Sequence, residues 1–105
     1  MSNSKPSLYR ETREKFPEVI SAVEQLGVTL RTAGPLDEKT SHLVQLAAAA
    51  ASQSEGSVHS HVRRALQAGA TAEEITHTLL LLMTTIGFPQ AMAALSWANE
   101  TLQKQ

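Results

Sequence analysis

The stretch SEGSVHSHVRRALQAGATAEEI, residues 54–75, decides the fold of this 105-residue chain. Its first half places apolar residues at helical spacing, and Gly69 follows at the point where such a helix would stop. Its second half contains a capping box. In that motif the Thr71 hydroxyl accepts a hydrogen bond from the Glu74 amide, while the Glu74 side chain returns to the Thr71 amide. The stretch therefore predicts two consecutive helices joined by a short turn.

Apolar residues recur with the same helical period on both sides of this stretch. We expect Gly27 to end the first helix, Gly87 to end the helix that Thr71 opens, and Pro89 to lie in the first turn of the last helix. No alternating strand pattern competes with this interpretation. The sequence predicts an all-α fold, a small helical bundle forming a single domain over residues 1–105, with residues 1–6 disordered. The predicted helices cover approximately residues 16–26, 37–52, 58–66, 71–86 and 91–98.

The helix that Thr71 opens is apolar on nearly every side, because residues 79–83 read LLLLM. Such a helix has to be covered on several faces, and a chain of this length has little interior to do so. We therefore expect a homo-oligomer in which further copies cover this helix. A tightly packed monomeric bundle is the alternative.

Composition excludes several classes of function. The net charge is −1 and the charged residues are dispersed, so we expect neither nucleic-acid nor membrane binding. There is no cysteine, which excludes disulfides, thiolate nucleophiles and cysteine-ligated metals. No secretion signal pattern or long apolar run is recognisable, so a cytoplasmic protein is expected.

Three polar residues could share one face of the helix around residue 58. Ser54, Ser57 and His61 follow i, i+3, i+7 spacing, and seven residues return a helix to within about 20° of the same direction. His59 lies two residues from His61 and points elsewhere, so the two do not form a metal-binding pair of the i, i+4 type. From spacing, catalysis at this stripe is one hypothesis, and an ordinary structural role is the other.

The same segment resembles the signature of the carboxymuconolactone decarboxylase and alkyl hydroperoxidase D family. The hydroperoxidase branch reads Cys-x-x-Cys-x-x-x-His, an Ala-rich helix, and then Gly-Ala-Thr-x-Glu-Glu-Ile. Its histidine corresponds to His61 and its two cysteines correspond to Ser54 and Ser57. The family's proton-relay glutamate corresponds to His42, and residues 84–89 resemble its Gly-Phe-Pro turn. The resemblance covers about residues 36–100 and implies an alkyl hydroperoxidase D-like bundle, assembled as a trimer or a hexamer.

The resemblance does not imply that this chain has the family's thiol-dependent activity. In the hydroperoxidase branch a thiolate attacks the peroxide and a second cysteine closes a disulfide. Ser54 and Ser57 cannot perform those steps. The decarboxylase branch retains a histidine in a His-x-Arg-x-Ala pattern, with which His61 and Arg63 are compatible. An acid–base histidine and a carboxylate-binding arginine, Arg63 or Arg64, would suit that chemistry.

Two hypotheses about function follow. The chain is either a non-catalytic family member that binds a ligand or supports assembly, or a cysteine-independent acid–base enzyme acting on a small carboxylate or lactone. In the second case His61, with His42, would be catalytic and Ser54 and Ser57 would line the pocket. In the first, the serines merely fill the space of cysteines. We expect no cofactor and no metal. Metal bound by His42 and His61 is a third possibility, but two histidines from one subunit are too few ligands without a carboxylate or a neighbouring chain.

Overall fold

The computed structural model describes residues 4–105, with side chains from residue 8 onward. The secondary structure of these residues is entirely helical, which confirms the all-α prediction. Residues 1–3, where part of the predicted disorder falls, lie outside the described residues, and residues 4–6 form the first turn of a helix. The described residues divide into two compact units between Asp37 and Glu38. None of their helices combines the length and apolar character that crossing a membrane requires.

The first unit contains two helices, α1 (Ser4–Lys15) and α2 (Pro17–Thr32). They are separate because Phe16 precedes a proline and adopts a non-helical backbone, and Pro17 then occupies the first turn of α2. The Arg13 side chain binds Glu24 across the two helices, and this hydrogen bond raises the pKa of Arg13. The polar sequence of α1 gave no apolar period, so the sequence did not predict it.

The second unit contains α3 (Glu38–Ala51), α4 (Glu55–Gln67), α5 (Ala72–Leu80) and α6 (Phe88–Gln103). A 3₁₀ helix, Leu81–Thr84, connects α5 to α6. α4 packs against both α3 and α6, and these contacts are the most extensive in the unit. The fully buried side chains of one apolar cluster form the core, and its largest members are Leu46, Val58, Val62, Ile75 and Leu79.

Two predicted helix ends were wrong. Gly27 does not end its helix, since α2 continues to Thr32 and the Gly27 backbone does not enter the left-handed region. The helix opened at Thr71 stops at Leu80 rather than near Ile86. There the chain tightens into a 3₁₀ turn, a common ending for α-helices, and the Thr85 hydroxyl donates to the Leu82 carbonyl at 3.0 Å.

Other predicted boundaries were correct, except that of Gly87. Gly69 has φ of +100° just after α4, a backbone conformation that favours glycine. Gly87, which was expected to end the helix opened at Thr71, instead directly precedes α6, where its φ is +95°. The capping box is present in full, with the Thr71 amide donating to Glu74 at 2.9 Å and the Glu74 amide donating to Thr71 at 3.0 Å. Lys39 of α3 also contacts the Glu74 carboxylate at 3.1 Å. The start of α5 is thereby joined to α3.

Replacing Thr71 with alanine should lower the free energy of unfolding by about 1 kcal/mol, because the Glu74 amide loses its acceptor.

The stability that the capping box supplies should also depend on pH. The hydrogen bond from the Thr71 amide lowers the pKa of Glu74, and the hydrogen bond from Lys39 lowers it further. The stability that ionised Glu74 supplies is therefore present above the ordinary glutamate pKa, and is lost as the pH falls from there toward the lowered value. Urea unfolding near pH 7 and near pH 4 measures both effects. Thr84→Ala, at an exposed threonine that starts no helix, serves as the control, and an equal loss there would contradict the capping argument.

Candidate functional site

Two histidines from neighbouring helices lie side by side in the second unit. His42 is in α3 and His61 is in α4, and their ring centroids are 6.0 Å apart with the ring planes tilted by 44°. The two residues are far apart along the chain, so their proximity depends on the packing of α3 against α4. The histidines that the sequence selected as catalytic candidates are thus neighbours in space. We call them the histidine pair.

The histidine pair lies at the edge of the apolar core. His42 is 3% exposed and His61 is partly buried, and the Nδ1 atoms of both rings are shielded from solvent. Leu46 follows His42 by one helical turn, and Val62 follows His61 directly, and both are fully buried. The pair is therefore closed on the His42 side and partly accessible on the His61 side.

One carboxylate approaches the pair from the start of α3. Glu38 lies one helical turn before His42, and its Oε2 atom is 3.7 Å from His42 Nε2. Its side chain is 70% exposed, so this contact is weak unless His42 is protonated. Glu38 extends the polar surface around the pair toward solvent.

The two serines lie at the beginning of α4. Ser54 is the residue that precedes the helix and has an extended backbone, while Ser57 lies in the first turn and is exposed. Ser57 is four residues before His61 and so lies on the same side of α4. Ser54 is outside the helix, and its position therefore depends on the turn rather than on helical periodicity.

The two candidate arginines, Arg63 and Arg64, lie on different sides of α4. Arg64 is three residues after His61 and lies on its side of the helix, whereas Arg63 is four residues after His59 and lies on the other side. Arg64 is partly buried and Arg63 is exposed. Helix geometry therefore favours Arg64 over Arg63 as a neighbour of the histidine pair.

Sequence reasoning missed a second polar cluster, on the opposite side of α4. His59 contacts Glu55 of the same helix, and it also contacts Glu100 and Thr101 of α6. Glu55 and His59 are four residues apart, a spacing that was visible in the sequence. The residues from α6 are about forty positions away along the chain, so no local sequence pattern indicated that they would contact His59.

A groove of about 260 Å³ lies elsewhere, between α5 and α6. Thr76, Met92 and Asn99 are among the residues that line it, and none of the residues selected from the sequence does. Its volume is below the range typical of small-molecule sites. The groove is therefore a weaker candidate than the histidine pair.

The structure defines a class of protein: an all-α bundle with two neighbouring histidines on adjacent helices. Comparison with known proteins agrees with the all-α fold. Residues 17–100 match the family model of the carboxymuconolactone decarboxylase family, and this chain belongs to that family.

Two relatives support the assignment. The uncharacterized protein MJ0742 of Methanocaldococcus jannaschii is 30% identical over 78 residues, which cover 73% of this chain and 75% of that protein. The crystal structure of apo-lpg0406, a carboxymuconolactone decarboxylase family protein from Legionella pneumophila, superposes with a TM-score of 0.79 at 28% identity. That match covers 94% of this chain and 88% of the other, so the similarity extends over both units.

Proposed function

We propose that this chain is a cysteine-independent family member that binds a small carboxylate or lactone at the histidine pair, and that His61 acts there as a general acid–base. The observation that carries the proposal is the 6.0 Å separation of the His42 and His61 rings. Two residues that the family resemblance selected separately are neighbours in the fold. Ser54 and Ser57, at the start of the same helix, would line the approach.

The chemistry of imidazole suits this role. A neutral imidazole offers one donor nitrogen and one acceptor nitrogen, and histidine exchanges protons near neutral pH. Two such rings can hold an oxygen of a ligand while one of them supplies or removes a proton. His42 stands where the family usually has a glutamate, so the relay would use a second imidazole in place of a carboxylate.

Decarboxylation is the reaction that this arrangement could assist. The bond between carbon and the carboxylate breaks, carbon dioxide leaves, and the electron pair that remains is taken up by the conjugated carbonyl of the lactone. The carbon framework then accepts one proton, which the imidazolium of His61 would donate. Arg64, on the same side of α4, would bind a carboxylate of the substrate.

The test uses carboxymuconolactone, the compound in the family's name, and measures the release of carbon dioxide. We expect His61→Gln to lower kcat by about 10²–10⁴-fold, the usual contribution of a general acid–base. His77→Gln, which changes an exposed histidine of α5, is the matched control and should have no effect. Equal turnover in His61→Gln and the unmodified protein, or turnover no faster than in buffer, would contradict the catalytic role.

Binding has a separate readout. Nuclear magnetic resonance of the imidazole groups should show shifts at His42 and His61, and none at His77, when the lactone is added. Shifts without turnover would retain the site as a binding site and remove the catalytic step. Shifts at none of these histidines would remove the site as well.

A second candidate function is assembly without catalysis, and an exposed apolar stripe on α2 favours it. The stripe begins at Phe16, which directly precedes α2, and continues along the helix. Its residues are spaced three or four apart, and each is between 56% and 59% exposed: Phe16, Val19, Val23, Leu26 and Leu30. Leu80 and Leu81 are exposed as well, at 43% and 61%. Exposed apolar surface of this kind is typical of interfaces, and we propose that the stripe of α2 is covered by further copies in a trimer or a hexamer.

A further inference from the structure

We infer that Glu55, His59 and Glu100 form a binding site for a divalent transition-metal ion, with Thr101 orienting the histidine. Among residues 8–105, whose side chains the structure describes, this is the cluster in which three metal-ligating groups converge. One ligand atom from each residue lies within 4.8 Å of the other two. The site lies on the side of α4 opposite the histidine pair and goes beyond the function proposed above.

The distances suit a small cation. His59 Nε2 is 3.2 Å from Glu55 Oε2 and 3.6 Å from Glu100 Oε1. Zinc binds nitrogen and oxygen ligands at about 2.0–2.2 Å, so two ligands of a tetrahedral ion are separated by about 3.4 Å. The two observed separations lie on either side of that value. The oxygens of Glu55 and Glu100 lie within 4.8 Å of each other, so an ion among the three atoms requires adjustment of these side chains.

The orientation of His59 supports the same inference. Its Nδ1 atom hydrogen-bonds with the hydroxyl of Thr101, which is 4% exposed, and this contact turns Nε2 toward the two carboxylates. Histidines that bind metals through one ring nitrogen usually hydrogen-bond through the other, which fixes the ring and its tautomer. His59 Nε2 hydrogen-bonds with Glu55 when it carries the proton. When Nδ1 donates to Thr101 instead, Nε2 presents a lone pair to a cation.

Charge and access are also suitable. Glu55 and Glu100 together balance the charge of a divalent ion, and one imidazole with two carboxylates is a donor set that zinc and related metals accept. His59 and Glu55 are partly buried while Glu100 is exposed, so an ion can enter from solvent. Three protein ligands leave a fourth position for water.

The experiment is a titration of the purified protein with zinc followed by calorimetry, repeated with cobalt(II) followed by its visible absorption. We expect one ion per chain. His59→Gln and Glu100→Gln should each weaken binding by about tenfold or more, and Thr101→Val, which keeps the shape but removes the hydroxyl, by about 10–100-fold. Circular dichroism checks that each variant is folded, and Glu100→Gln changes an exposed side chain, so it keeps the test valid if another variant unfolds.

Residues outside the proposed metal site provide the control variants. Glu73 and His77 of α5 have the same four-residue spacing but belong to no three-ligand cluster in the described residues, so Glu73→Gln with His77→Gln should leave binding unchanged. His61→Gln should also leave it unchanged. No uptake by the unmodified protein, or uptake that survives His59→Gln and Glu100→Gln, would overturn the inference. Uptake lost in His61→Gln instead would assign the ion to the histidine pair and overturn it equally.

Discussion

Replacing Leu79 with alanine should lower the free energy of unfolding by about 2–5 kcal/mol, the usual cost of truncating a fully buried leucine. Leu79 is 0% exposed and belongs to the cluster that joins α3, α4, α5 and α6. The loss includes the transfer energy of the removed methyl groups and the cavity that they leave. Because small domains have total stabilities of about 5–15 kcal/mol, a large part of the stability of this protein would disappear.

Urea unfolding followed by circular dichroism measures this effect, with the midpoint and slope compared between variants. Val44→Ala is the matched control, because Val44 lies in the same unit but is 53% exposed. We expect that change to alter stability by less than about 0.5 kcal/mol. Similar losses in the two variants would show that the position assigned to Leu79 in the core is wrong.

Replacing Val23 with glutamate should dissociate the proposed oligomer. Val23 lies in the middle of the apolar stripe of α2 and is 59% exposed in a single chain. If a second copy covers the stripe, the substitution buries an unpaired carboxylate, which is strongly unfavourable. Light scattering at low micromolar concentration should show the mass falling three- to sixfold, from a trimer or a hexamer to a monomer.

Gln25→Glu introduces the same charge on another side of α2, at an exposed polar position, and should leave the mass unchanged. A monomeric mass for the unmodified protein would remove the oligomer and leave the exposed stripe without an explanation. An oligomer that persists in Val23→Glu would place the interface elsewhere, for example at Leu80 and Leu81.

Local signals allowed much of the fold to be predicted. The capping box at Thr71 and the glycine at position 69 each specify a backbone conformation through their own chemistry, and the structure has both as expected. The prediction at Gly27 was wrong because glycine permits a helix to end without requiring it. The early end of α5 depends on a turn chosen by tertiary packing rather than by a breaking residue.

The two candidate sites differ in how much of each could be predicted from the sequence. His42 and His61 were selected through the family resemblance, and their proximity then followed from packing. His59 was set aside because it points away from His61, which the structure bears out, but its partners could not be foreseen. Thr101 is 42 residues away, and its meeting with His59 depends on the register between α4 and α6. Contacts between distant helices are set by the whole core, and local periodicity does not encode them.

The break between α3 and α4 has a consequence for how tightly a ligand could bind. Three residues, 52–54, separate these helices, and Gln53 adopts φ of +55° there while its side-chain amide donates to the Ala50 carbonyl at 2.8 Å. So short and hydrogen-bonded a connection leaves α3 and α4 little freedom to rotate against each other. A ligand that contacts both imidazoles would then find their two helices already held together. It would not have to supply the entropy of ordering those helices, and more of its interaction energy would appear as affinity.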